Sequence, residues 1–365
     1  MIEFGPRGTA TKSRRKERPW TSDNGFRSQR VNRTDTGGVA AMMRSLVAAM
    51  CAGLALIGGG AANAQTFPQK EPIKIVVPFP PGGPTDGMAR IISEHLQSEL
   101  GQAIVIENRG GAGGGIGGKF VATSPPDGYT LLMTPGGALT TGPAINPNIG
   151  YDPEKVFTPV CELIETPLVI SVVPPLAAKS LADVVAYAKA NPGKLVWGNQ
   201  GFGTAPHLLA EMFKLEAGIN ILDVPYRGTG PVLNAVLAKQ VQIIADPLTT
   251  SLPYIKAGNL RPIAIAGSAR DPDLPNVPTV GEEGFPKLQA PFWLAVVAPA
   301  GTPRDVVEKL NHAFRDALAA PDTVKKLKAL DTTPKIGTPE ELGTMLAREL
   351  AQWKAVVKAA HIEMK

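Results

Sequence analysis

From Ile73 onward, short apolar runs rich in Val and Ile alternate with stretches of amphipathic helical period, and no other feature constrains the fold as much. Strands are expected at 73–79 (IKIVVPF), 103–108, 129–134, 167–174, 194–199, 221–226, 241–246, 260–266 and 292–298. Several are apolar without a break, as strands buried on both faces are. The intervening helices have legible ends. Met88, Ile91, Ile92, Leu96 and Leu100 fall on one face of a helix over 86–100 that Gly101 ends. Ser180 caps a helix over 181–190, and Asn191-Pro192-Gly193 stops it. Leu208, Leu209, Met212 and Phe213 line a helix closed at Gly218, and Thr302-Pro303 opens another. Thr338-Pro339-Glu340-Glu341 reads as a capping box with Pro at the first helical position.

Strand then helix, repeated, specifies an α/β protein with mostly parallel sheets flanked by helices. Two lobes accommodate nine strands more economically than one sheet. The crossings are expected near 165–170 and 286–292, where Pro167, Pro286 and Pro291 interrupt the helical pattern. Lobe 1 is then 65–167 with 290–365, and lobe 2 is 168–289.

The chain before this alternation is of another kind. Residues 42–64, MMRSLVAAMCAGLALIGGGAANA, have a basic start at Arg44, an apolar run from Leu46 to Ile57 and the small-residue end Ala62-Asn63-Ala64. That is the pattern of a secretory signal peptide cleaved after Ala64, and its apolar run is too short for a membrane span. Residues 1–41 are polar, Arg-rich and without apolar periodicity, which fits a disordered extension or a misassigned upstream start. Their Arg14-Arg15 pair has no apolar run close behind it, as a twin-arginine signal would. The whole-chain charge is +5, but residues 1–64 hold ten Lys or Arg against four Asp or Glu, leaving −1 for 65–365. The exported part therefore gives no electrostatic reason to bind nucleic acid or an anionic membrane. Cys51 lies inside the signal without the small residues a lipoprotein site needs. Cys161 is then the one exported cysteine, so no internal disulfide staples the fold.

Parallel α/β lobes bind ligands beyond the C-terminal ends of their strands. The loops there are PPGGPTD (80–86), NRGGAGGGIGG (108–118), TPGGALTT (134–141), NQGFGTAPH (199–207), YRGTGP (226–231) and DPLTT (246–250). Gly with Thr recurs and charge is sparse. Such loops expose backbone N–H groups at helix N-termini, which suit a carboxylate or another small anion. Arg109 and Arg227 are the strong cations at strand ends, and Asp86 and Asp246 each follow a strand.

The glycine run itself imitates a nucleotide site. Gly113, Gly115 and Gly118 spell G-x-G-x-x-G, and Gly113, Gly118 and Lys119 spell G-x-x-x-x-G-K. The dinucleotide fingerprint belongs after the first strand of its unit and needs an acid about twenty residues on. Here the strand is the second, and its successor ends in LLMTPGG. The phosphate loop fails at Phe120, where a hydroxyl should bind Mg²⁺. Neither G-x-S-x-G nor H-E-x-x-H occurs, and the histidines at 95, 207, 312 and 361 are scattered. His207 sits at a cleft loop, where a helix-terminal polar role fits better than metal binding. No cofactor, metal or catalytic set is expected.

VVPFPPGGPTD (76–86), ENRGGAGGGIGG (107–118) and PPDGYTLL (125–132) together resemble the extracytoplasmic solute-binding proteins of tripartite tricarboxylate transporters, the Bug family. GTAPHLLAEMFK (203–214), VPYRGTGPVLNAVLAKQVQ (224–242), DLPNVPTVGEEGFP (273–286) and APAGTP (298–303) continue the likeness in order. The resemblance implies a two-lobed periplasmic-binding-protein fold of type II-like form and a periplasmic, monomeric receptor. It further implies a small carboxylated solute and delivery to membrane subunits. By position it assigns the ligand to Pro80, Gly82, Gly83, Thr85 and Asp86, facing Thr134, Gly136 and Gly137. The other contacts fall to Gly201, Gly203, Thr204, Tyr226, Arg227 and Asp246. NQGFGTAPH and TPGGALTT depart from commoner members, which bears on the distal half of the ligand. Two other readings stand beside this one: an exported α/β enzyme acting on small carboxylates, and a sensory receptor serving a membrane kinase.

Overall fold

The computed structural model describes residues 67–146, 148–330, 332–359 and 362. The expected signal peptide with its cleavage site, Cys51 and His361 lie outside the described residues. Residues Ala64–Lys365 form one compact unit by their contacts.

A first group of strands is built from β1 (Ile73–Val77), β2 (Ile104–Asn108) and β3 (Thr130–Thr134), all parallel, in the order β2-β1-β3. Four of the five β1 side chains are buried, and the one polar residue, Lys74, is the one left half-buried, paired with Glu107 at 3.0 Å. Between β1 and β2 runs α1 (Pro84–Leu100). Proline opens it, Met88, Ala89, Ile92, Leu96 and Leu100 are buried, and Gly101 ends it at φ 61°. Helix α2 (Gly115–Ala122) follows β2, and α3 (Thr141–Ile145) and α4 (Pro153–Val156) follow β3.

The chain then enters β4 (Phe157–Val172), the longest strand. Its first part pairs antiparallel with β9 (Pro291–Pro299) as far as Pro167 opposite Pro291. From Leu168 it pairs antiparallel with β7 (Ile243–Pro247), and from Val169 with β8 (Arg261–Ile265) on its other side. One strand thus leaves the first sheet and enters the second at a proline. The sequence pattern located only the end of β4, from 167. Register shifts between Pro159 and Cys161 and between Glu162 and Ile164 break the two-residue alternation, so residues 157–166 do not look like a strand.

In the second sheet β5 (Val196–Asn199) lies parallel to β6 (Leu222–Pro225) and to β7. Its helices are α5 (Leu181–Ala190), α6 (Ala205–Ala217), α7 (Thr229–Leu237) and α8 (Leu248–Lys256). Ser180 caps α5 by accepting the Asp183 N–H at 3.1 Å, and Gly218 ends α6 at φ 61°. The chain returns through β9, whose neighbour in the first sheet is β3, antiparallel. It finishes with α9 (Arg304–Ala319), α10 (Pro321–Ala329), β10 (Thr333–Pro334) and α11 (Pro339–Ala359). The expected capping box is present: Thr338 N–H donates to Glu341 Oε2 at 2.8 Å, and Glu341 N–H to Thr338 Oγ1 at 3.2 Å. The fold is a two-lobed α/β structure in which parallel three-stranded groups are joined by the antiparallel strands β4 and β9. Among the described residues no helix is long and apolar enough to cross a membrane.

Candidate ligand-binding site

A cavity lies where loops from both sheets meet. From the first sheet come Phe79, Pro80, Pro81, Gly83, Pro84 and Thr85, then Pro135, Gly136, Gly137 and Thr141. From the second come Gln200, Thr204, Ala205, Pro206, Arg227, Gly228, Thr229, Gly230, Pro231 and Pro247. Pro291, Phe292 and Trp293 of β9 and Glu349 of α11 complete the wall. Three helices of 17, 13 and 9 residues (α1, α6 and α7) begin in this lining. The first turn of each carries N–H groups with no intrahelical acceptor and the positive end of the helix dipole.

The loop after β1 is shaped by Asp86. Its carboxylate accepts the Gly82 N–H at 2.9 Å, Arg90 Nε at 2.9 Å and the second Arg90 guanidinium nitrogen at 3.1 Å. Asn108 Nδ2 bridges it at 3.1 Å to Phe79 O at 3.0 Å, tying the ends of β1 and β2 together. Burial pushes the Asp86 carboxyl up, but the hydrogen bonds from Arg90, Gly82 and Asn108 outweigh it and hold the pKa below the ordinary value. Asp86 thus shapes the loop from behind the wall, and Gly82, at φ 86°, makes the turn. Thr134 is fully buried and donates to Pro135 O at 2.9 Å.

Across the cavity, Asn199 Oδ1 accepts the Gly201 N–H at 2.7 Å and Thr204 Oγ1 donates to Gly201 O at 2.7 Å. Tyr226 N–H donates to Asn199 O at 2.9 Å, which fixes the start of the loop carrying Arg227. Gly201 and Gly203, at φ 126° and 77°, form the turn behind the wall. Asp246 is fully buried beneath Gln200, whose Nε2 donates to it at 2.8 Å; Ser251 donates at 3.1 Å, with Thr250 and Thr229 also bonded. Burial pushes its pKa up to about 7 against those hydrogen bonds.

Pro80, Gly83, Thr85, Gly136, Gly137, Thr204 and Arg227 therefore line the cavity, while Gly82, Asp86, Thr134, Gly201, Gly203, Tyr226 and Asp246 stand behind them. The two cations separate clearly. Arg109 pairs with Glu107 and stacks 3.7 Å above the Phe120 ring, away from the cavity. Arg227 lines it and makes no ion pair or hydrogen bond among the described residues. Sequence reasoning missed Trp293 and Glu349, which reach the site from β9 and the last helix with no local motif to mark them. It quoted the loops containing Thr141 and Gln200 without choosing either residue.

The glycine run packs backbone on backbone. A Cβ on Gly113 would stand 2.0 Å from Phe202 O, one on Gly137 would stand 2.1 Å from Gly113 O, and one on Gly117 2.7 Å from Pro78. His207, Glu211 and Asp223 bring ligating atoms within 4.8 Å of one another, but each is already engaged. His207 Nδ1 accepts the Gly203 N–H at 3.4 Å, which leaves the ring proton on Nε2, 3.5 Å from Asp223. Asp223 accepts from Asn199 at 2.8 and 2.9 Å, and Glu211 pairs with Lys214 at 2.7 Å. A cation would have to displace that proton and those partners.

Residues 88–362 match the family model described as the tripartite tricarboxylate transporter family receptor. Protein BugT of Bordetella pertussis is 38% identical over 304 residues, covering 83% of this chain and 93% of its own. Among solved structures, R. palustris Rpa4515 with adipate is 36% identical with a TM-score of 0.76, covering 81% of this chain and 99% of that one. MatC from Rhodopseudomonas palustris with bound malate is 34% identical with a TM-score of 0.76, covering 79% and 99%. The family is one of periplasmic solute-binding receptors and not of enzymes. The chain belongs to it, as an extracytoplasmic solute-binding protein of the Bug type.

Proposed function

We propose that this receptor captures a small carboxylated solute in the cavity described above and delivers it to the membrane subunits of a tripartite tricarboxylate-type transporter. The observation that carries this is the convergence of three helix N-termini and the unpaired Arg227 on one lining whose other charged side chain is Glu349, engaged by indole N–H groups. Free N–H groups in the first turn of a helix, with the positive end of its dipole, suit a carboxylate as acceptor. Adipate and malate in the two solved neighbours are of the same chemical class. The reading takes the lobes as 65–167 with 290–365, and 168–289, because β4 changes sheets between Pro167 and Leu168. It also takes the protein to be exported, cleaved after Ala64 and monomeric, and needs no cofactor.

The test is a thermal-shift screen of the protein beginning at Gln65 against di-, tri- and aromatic carboxylates, with neutral solutes as controls. A true ligand stabilises by about 2.7 kcal/mol at a hundredfold excess over Kd, and mass spectrometry should recover it unchanged. Stabilisation by neutral solutes with none by any carboxylate, or conversion of the stabilising compound, would overturn the reading.

A further inference from the structure

The cavity contains more acceptors than a plain carboxylate can use. Glu349 of α11 lines it, and its carboxyl is held by Trp293 Nε1 at 3.1 and 3.0 Å and by Trp353 Nε1 at 3.2 Å. Those partners are neutral indole N–H groups rather than cations. The Thr140 hydroxyl also bonds the carboxyl and Arg348 lies near enough to attract it, while burial raises its pKa above the ordinary value. These three neutral donors still leave part of its acceptor capacity of about four lone pairs unused. Gln200 is only 7% exposed, and its Nε2 is committed to Ala245 O at 3.0 Å and to Asp246 at 2.8 Å. Its Oε1 has no hydrogen-bond partner. Turning the amide over would set Oε1 against the Ala245 carbonyl, so the acceptor is fixed where it is. Thr141 Oγ1, also in the lining, is likewise buried and unpartnered.

We propose that Glu349 and Gln200 make the cavity selective for carboxylates that also carry a hydrogen-bond donor, a hydroxyl or an amino group, over unsubstituted dicarboxylates of the same skeleton. The inference rests on the carboxylate reading above and narrows it. A donor on the solute satisfies the Gln200 oxygen or the free capacity of Glu349. An unsubstituted chain of the same skeleton offers no such donor and leaves a buried acceptor unpaired. Sites with committed polar groups reject analogues that lack the matching group far more strongly than apolar pockets reject a missing methylene. The adipate-bound and malate-bound neighbours differ in this feature, so family membership does not decide it.

Calorimetric titration with matched acids tests the inference: succinate, malate and aspartate; glutarate, 2-hydroxyglutarate and glutamate; benzoate and 4-hydroxybenzoate. Within any skeleton that binds, the donor-bearing acid should bind at least tenfold more tightly. Glu349→Gln replaces the carboxylate acceptor by a weaker neutral amide, and should bring the ratio of hydroxy acid to unsubstituted dicarboxylate within about threefold, chiefly by weakening the former. Equal or tighter binding of the unsubstituted acids by the wild-type protein sinks the inference and leaves the carboxylate reading intact. A ratio unchanged in a folded Glu349→Gln protein also sinks it. Binding of no acid in the panel would defeat both. The wild-type ratios decide the matter even where the variant fails to fold.

Discussion

Asp246 shows how a single buried group shapes both stability and site. It is fully buried, and its pKa is raised from 3.8 to about 7 by desolvation, despite donors from Thr250, Gln200, Ser251 and Thr229. In the native protein it keeps a proton that the unfolded chain has already released above pH 4. Its contribution to stability therefore falls as pH rises from about 4 through about 7 and is level beyond, by about 1.4 kcal/mol per unit across that window. Asp246→Asn cannot ionise, so the melting temperature of the variant, relative to wild type, should improve between pH 4.5 and pH 7.5. A difference that is constant across that range would mean Asp246 is ionised throughout. Asp86 is the opposite case, an acid held in its charged form by three partners and used to shape a loop. Both follow strands in the sequence, and no property of the sequence told them apart.

At the scale of elements, the glycine loops carry the contact between the lobes. Gly113 follows β2 of the first sheet, and its Cβ position is 2.0 Å from Phe202 O, in the loop after β5 of the second. Its φ is 61°, so a side chain is strained there by the turn itself, at a cost of about 1–2 kcal/mol. The clash with Phe202 O exists only while the two loops touch. Gly113→Ala should thus lower the melting temperature of the empty protein modestly and weaken the best carboxylate ligand at least tenfold. Unchanged affinity would show that the loops need not meet for binding. Elements with strong local signals were legible in the sequence: the buried run of β1, the Ser180 cap, the Gly218 stop and the capping box at Thr338. Residues 157–166 of β4 were not, because bulges shift its alternation. Trp293 and Glu349 were not, because only the tertiary fold brings β9 and α11 to the cavity.

At the scale of the whole molecule, β4 and β9 run side by side from the first sheet to the passage between Pro167 and Leu168, and the cavity opens among the loops that face each other across that passage. Such an arrangement suits hinged closure over a small solute. The central claim is that the loop after β1 grips a carboxylate while the glycine run serves packing, and one experiment sets the two against each other. Gly83 has ordinary φ of −83°, and its Cβ would meet nothing nearer than Pro80 O at 3.9 Å, so Gly83→Val can fold while filling cavity space. Lys119 lies in α2 outside the cavity lining, with its Nζ 3.0 Å from the Cβ position of Gly150, and it is the residue a phosphate loop could least lose. Calorimetric titration of both variants with the carboxylate that best stabilises the wild type should find binding abolished in Gly83→Val and within about twofold of wild type in Lys119→Ala. Loss of binding in Lys119→Ala with retention in Gly83→Val would contradict the account and return the glycine run to the centre of the site.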